Sequence, residues 1–160
     1  MSHPSLGLPP RDLSAGDPDA AAALRAVGPR LRTRALAAAL DLDPTLRDRH
    51  AQLVLDGLLA DLQAFVDRLV TAVASGDPRA MATFGDLVAV RYRKRKLAMA
   101  DVVTLCEGLR RAASAAVAPH SLPAVDAAID AGIEVFRWHG RLAGDARKRN
   151  SLLAFIYKGA

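Results

Sequence analysis

Apolar residues recur along this chain at steps of three, four and seven, the spacing that lines one face of a helix. Leu46, Leu53, Val54, Leu58, Leu62, Phe65, Leu69 and Val73 trace such a stripe and predict a long helix over residues 44 to 75. Asp48, Asp56, Gln63 and Asp67 take its other faces. Gly57 is a position where this helix could bend, and Ser75-Gly76 ends it. Met81, Phe84, Leu87, Val88 and Tyr92 predict the buried face of a helix over residues 77 to 96. Val102, Leu105, Cys106, Leu109, Ala113, Ala116 and Val117 do the same for residues 99 to 118. No period-two run is long enough for a strand.

Local start signals agree with these periods. Asp17-Pro18, Asp43-Pro44 and Asp77-Pro78 each pair a capping carboxylate with a proline that loses nothing in the first turn. Gly28-Pro29 and Ser121-Leu122-Pro123 are related marks. They add short helices over residues 18 to 27 and 29 to 41, and a last segment over 122 to 157. Val125, Ile129, Ile133, Phe136, Gly140 and Ala143 form one stripe of that segment. Unbroken, it would be about 54 Å long at ~1.5 Å per residue. A compact 160-residue globule is about 40 Å across. The segment must therefore break, near Gly140 or Gly144, or project and be covered by a second subunit.

The expected fold is all-α: a bundle of about six helices with a long C-terminal helix, one domain over residues 17 to 160 behind a flexible arm over 1 to 16. The arm holds Pro4, Gly7, Pro9, Pro10 and Gly16, which do not sustain a helix. Composition supports this picture. Hydrophobic residues are 51% of the chain but aromatics only 4%, so the apolar content is Ala, Leu and Val. The single cysteine excludes an intrachain disulfide and a multi-cysteine zinc site. The first residues lack the basic start and apolar run of a signal peptide, and no apolar run reaches the ~18 residues of a membrane span, so the expected location is cytoplasmic.

The net charge of +5 permits an acidic partner. Two runs carry it. Arg91, Arg93, Lys94, Arg95 and Lys96 form a basic elbow between two helices, and Arg137, Arg141, Arg147, Lys148 and Arg149 lie late in the last one. Both are candidate contacts for a partner or anion. Both also sit where cations complement a helix C-terminus. A nucleic-acid-associated role is an alternative, but Tyr92 is the only aromatic beside the elbow.

Histidines offer no metal spacing. His3, His50, His120 and His139 form no His-x-x-x-His pair, and Glu134 stands five positions before His139 rather than three. Haem or another cofactor, held by His120 or His139, is the alternative reading. Cys106 lies on an apolar stripe and reads as inert core, with Arg110 and Arg111 as its basic neighbours. No phosphate loop, nucleophile elbow or acid–base–nucleophile set can be named, so no enzyme is expected.

The region from Arg47 to Ala118 resembles the RsbRD-type N-terminal domain, a helical sensor that precedes STAS, histidine-kinase or PucR-like output domains in bacteria. Its turn phrase, Pro-Leu-x-Asp/Glu-Val, is met here by Leu97-Ala98-Met99-Ala100-Asp101-Val102-Val103, and its closing Leu-Arg by Leu109-Arg110. Leu40-Asp41-Leu42-Asp43-Pro44 and Ala72-Val73-Ala74-Ser75-Gly76-Asp77-Pro78 match its upstream phrases. The family's turn glycine is Arg95 or Lys96 here, its proline is Ala98, and an aromatic of its second helix is Cys106. The resemblance implies a globin-like, stressosome-like sensory or scaffolding module without haem. It would act in signal transduction through protein–protein interaction with a regulatory partner and as a homodimer.

Overall fold

A computed structural model describes residues 2 to 7 and 15 to 157, with side chains as far as residue 143, Ser5 excepted. The described residues are all-helical, with no strand. The seven α-helices among them are α1 (Pro18–Ala26), α2 (Gly28–Leu42), α3 (Leu46–Arg49), α4 (Gln52–Ser75), α5 (Arg79–Lys94), α6 (Met99–Ser114) and α7 (Leu122–Tyr157). Short 3-10 turns occupy Pro4–Gly7 and Pro119–Ser121.

The Asp17-Pro18 mark caps α1 as its chemistry predicts, whereas Asp43 and Asp77 hold tight turns just ahead of α3 and α5, whose N-caps are Thr45 and Pro78. Asp17 accepts a hydrogen bond from the Ala20 amide at 2.9 Å, and Asp77 from the Arg79 amide at 3.0 Å. Asp43 accepts from the Thr45 amide at 3.1 Å and from the Thr45 hydroxyl at 2.6 Å. Asp17 also receives the Ser121 hydroxyl at 2.6 Å, which ties the start of α1 to the start of α7. That bond, followed by the Ala20 amide, holds the Asp17 carboxyl below its ordinary range.

Residues 44 to 75 are not one helix. His50 is extended (φ −126°, ψ 129°) and separates α3 from α4. The break changes the phase of the apolar stripe. Leu46 is fully buried, whereas Leu53, seven positions on, is 83% exposed. The face that α4 buries carries Leu55, Leu58, Leu62, Phe65, Leu69 and Val73. Gly57 leaves α4 unbroken. A Cβ there would stand 3.1 Å from an Arg95 guanidinium nitrogen, so Gly57 makes room for that side chain instead.

One more expectation is corrected. Leu87 is 64% exposed, because α5 buries Met81, Gly85, Val88, Ala89 and Tyr92. Leu87 stands one position, about 100°, off that stripe. Of the two courses open to the last segment, the break does not occur: α7 is helical throughout from Leu122 to Tyr157.

The core is centred on three aromatic rings. Phe65 of α4 meets Phe84 of α5 edge-on at 5.0 Å and lies 6.0 Å from Phe136 of α7. Around them α7 packs on α5 and α6, α4 on α1 and α2, and α2 on α6. Small residues set these spacings: Gly85 of α5 sits against Val135 of α7, and Gly108 of α6 against Ala35 and Ala39 of α2. Cys106 is fully buried in this core. Burial, with Glu107 second, pushes its thiol up to about 12. Arg110 does little to oppose this, being engaged by Glu107, Asp126 and Asp130 in a clamp between α6 and α7.

Candidate functional site

The basic elbow is built on a helix-ending motif. The Leu97 amide donates to the Tyr92 carbonyl at 2.9 Å, and the Lys96 amide to the Arg93 carbonyl at 3.0 Å. This is the Schellman pattern, with buried Leu97 and Tyr92 as its apolar contact. It needs a left-handed residue, and Lys96 supplies it at φ 59°. The same pattern closes α4 with Gly76 at φ 64°. A lysine in that conformation carries strain that glycine does not. Lys96→Gly is therefore expected to stabilise the protein by about 0.5–1 kcal/mol, read as a higher urea midpoint. A lower midpoint would show that the Lys96 side chain contributes more than its backbone costs.

The elbow cations divide by role. Arg95 bridges to Asp61 of α4 at 2.7 Å and lies over the Tyr92 ring at 5.6 Å, so it fastens the elbow to the bundle. Burial, and Asp61 beside it, raise the Tyr92 phenol above its ordinary range. Arg91 and Lys94 are exposed on α5. Arg93 and Lys96 form one rim of a groove of about 840 Å³ between the elbow and α7.

Arg137 and Arg141 of α7 form the opposite rim. The structure thus brings members of both basic runs to one place. The groove floor is apolar and mixes large and small residues: Leu97, Ala98 and Met99 from the elbow side, Phe136, Gly140 and Ala143 from α7. Arg93, Lys96 and Arg141 have no carboxylate partner among the described residues. Arg137 has only an exposed pair with Glu134 at 2.8 Å. The first turn of α6 opens beside this floor, and its N-cap, Ala98, offers no side-chain acceptor to the free amides. Arg137, Arg141 and the N-terminal end of α6 favour a negative ligand on this side of the groove. The side chains of Arg147, Lys148 and Arg149 lie outside the described residues.

The two candidate cofactor histidines are not brought together. His120 is exposed beside the start of α7, and His139 lies about 25 Å further along that helix at ~1.5 Å per residue. His139 is 6% exposed and donates from Nε2 to Asp86 at 3.1 Å. His3 donates to the same Asp86 oxygen at 2.8 Å and meets the Trp138 ring edge-on at 4.5 Å. The N-terminal 3-10 turn is thereby fastened to α5 and α7. Among the described residues no group of three or more His, Cys, Asp or Glu is placed to hold a metal ion.

Sequence reasoning missed a second polar cluster. Asp101, only 4% exposed, accepts from His50 Nε2 at 2.7 Å and from Arg49 at 2.8 Å. Arg49 continues to Asp43 at 2.7 Å and to the Thr45 hydroxyl. These ion pairs raise the Arg49 guanidinium above its ordinary value, Asp43 foremost, and lower the Asp43 carboxyl. The acid of the Leu97-to-Val103 phrase is thus a buried pin that locks the α3–α4 break onto α6. The sequence held one signal for it: a charged residue in the first turn of an otherwise apolar helix face.

No helix among the described residues is long and apolar enough to cross a membrane. Compared with protein-family models, curated proteins and solved structures, the chain matches none.

Proposed function

We propose that this chain is a non-enzymatic signalling or scaffolding module that holds a regulatory protein partner in the groove between the α5–α6 elbow and α7. One observation carries the reading. Two basic runs more than forty residues apart in sequence meet as opposite rims of a single apolar groove, with three of the four rim cations lacking a carboxylate partner among the described residues. Cations that serve only to complement a helix end need no such floor between them. Apolar floor with charged rim is the anatomy of a protein contact surface. A partner bound there touches α5, α6 and α7 at once, so binding can bias how these helices pack.

The test is capture of the partner from cells that express this chain, by the wild type and by Arg93→Glu/Arg141→Glu. Loss of about 2 kcal/mol of binding, roughly thirtyfold, is expected for the double reversal, because attractive rim pairs become repulsive. Capture that is unchanged by the reversal refutes the groove as the contact site.

Pairing of two chains belongs to the same proposal. Leu87 and Val90, 64% and 41% exposed, leave an apolar strip on α5 that a second copy would cover. Light scattering at low and high salt reads this directly. A salt-resistant mass near twice 16.9 kDa is expected, and a monomer at both salts removes the dimer.

A further inference from the structure

From the shape and charge of the groove we infer the kind of segment it takes: an amphipathic helix of the partner, apolar on one stripe and acidic on both flanks. The inference rests on the groove being the partner site and adds the chemistry of its occupant.

Dimensions come first. The α7 wall runs from Phe136 to Ala143, seven residue steps, or about 10.5 Å of helix. Anchors at i, i+3 or i+4, and i+7 on a docking helix span the same ~10.5 Å. The floor suits such anchors. Ala98, Ala100, Gly140 and Ala143 keep it shallow enough for a helix to approach closely, and Met99 is a side chain that adapts to irregular apolar surfaces.

Charge selects the flanks. Arg93 and Lys96 stand three apart on one edge, and Arg137 and Arg141 four apart on the other. Carboxylates on both sides of an apolar stripe meet a cation on each rim, and one near the α6 end also meets amides that Ala98 leaves uncapped. An extended peptide is disfavoured because the described residues include no strand whose edge could pair with its backbone. A helix satisfies its own amides. A nucleic-acid strand finds phosphate contacts but no stacking platform, since Phe136, the aromatic of the floor, is fully buried. A second copy of this chain, at +5, is poorly matched to four cations.

The probe is a synthetic helical peptide of about 16 residues with Leu at i, i+3, i+4 and i+7 and Glu on both flanks. Its controls are a scrambled peptide of equal composition and a Glu-to-Gln version. Binding to the full chain is followed by fluorescence anisotropy. The acidic amphipathic peptide is expected to bind at micromolar concentration and to weaken about tenfold or more in high salt. Both controls should bind at least ~tenfold more weakly. Arg93→Glu/Arg141→Glu and, independently, the groove-filling Ala143→Trp should each weaken it ~tenfold or more, while Arg34→Glu on α2 should leave it unchanged. Thermal melts establish that the variants are folded, and Ala143→Trp keeps the test open if the charge reversal is not.

Equal binding of the scrambled peptide would mean that charge alone is read, and equal binding of the Gln version that acid is not; either overturns the inference. So does preference for an oligonucleotide that the groove variants abolish. The two proposals fail differently. If groove variants lose the cellular partner but the acidic peptide neither binds nor competes, only the occupant is wrong. If the partner is captured regardless of the groove variants, the site itself is wrong.

Discussion

Gly108→Ala is expected to destabilise the protein by about 3 kcal/mol or more, although alanine is the better helix former by ~1 kcal/mol. Gly108 is buried where α6 crosses α2. A Cβ there would stand 2.7 Å from the Ala39 amide nitrogen, 2.9 Å from the Ala39 Cβ and closer still to the Ala35 carbonyl oxygen. Two of these are backbone atoms, which cannot rotate away. The helices must separate, and with them Leu31, Ala35, Leu105 and Leu109, all buried at or near the crossing. Gly140→Ala is the matched control. Its Cβ would meet the Met99 Cβ at 3.4 Å, an ordinary contact, so helix propensity should prevail and stability rise by about 0.5–1 kcal/mol. Urea titrations with unchanged slope decide between the two behaviours. If Gly108→Ala were as stable as the wild type, the crossing could not be as close as described.

Asp101→Ala is expected to cost about 2–4 kcal/mol. The carboxylate is nearly buried and receives both His50 and Arg49, while Arg49 keeps Asp43 and a partly exposed surface, which limits the loss. Removal strands the His50 imidazole on a side chain that is 14% exposed. It also frees the extended turn at residue 50. Faster hydrogen exchange should therefore appear at residues 46 to 55 before it appears in α7. Loss spread evenly over the bundle would instead mark Asp101 as a general core residue. The same cluster shapes the acid response. The Asp43 carboxyl, held by Arg49 and then by Thr45, lies below its ordinary 3.8 when folded. Its contribution is complete above that value and is lost as the pH falls through the lower folded value.

Much of the bundle was legible because helices announce themselves locally. The Asp-Pro and Gly-Pro marks hold their chemistry within three or four residues, and the stripe of Val125, Ile129, Ile133 and Phe136 is buried as its period requires. Leu53 was misplaced for a reason periodicity does not contain. The phase of α4 is reset by an extended His50, whose ring is bonded to Asp101, fifty-one positions later. A long-range contact of that kind is invisible to a local repeat.

The candidate site divides in the same way. The clustering of Arg93 and Lys96, and of Arg137 and Arg141, is a property of sequence, as is the ambiguity between a helix-end complement and a binding surface. Separating Arg95, which is held by Asp61, from Arg93 and Lys96, which border the groove, required the packed elbow.

From sequence alone follow the helical class, most helix starts, the burial of Cys106 and the two basic runs, because each depends on neighbours within a turn or two. Only the tertiary structure decided that α7 continues past Gly140, that Gly108 marks the tightest crossing of α2 and α6, and that both basic runs border one groove. Those outcomes depend on which faces meet across the bundle, and contacts between helices forty or more residues apart leave no period in the chain.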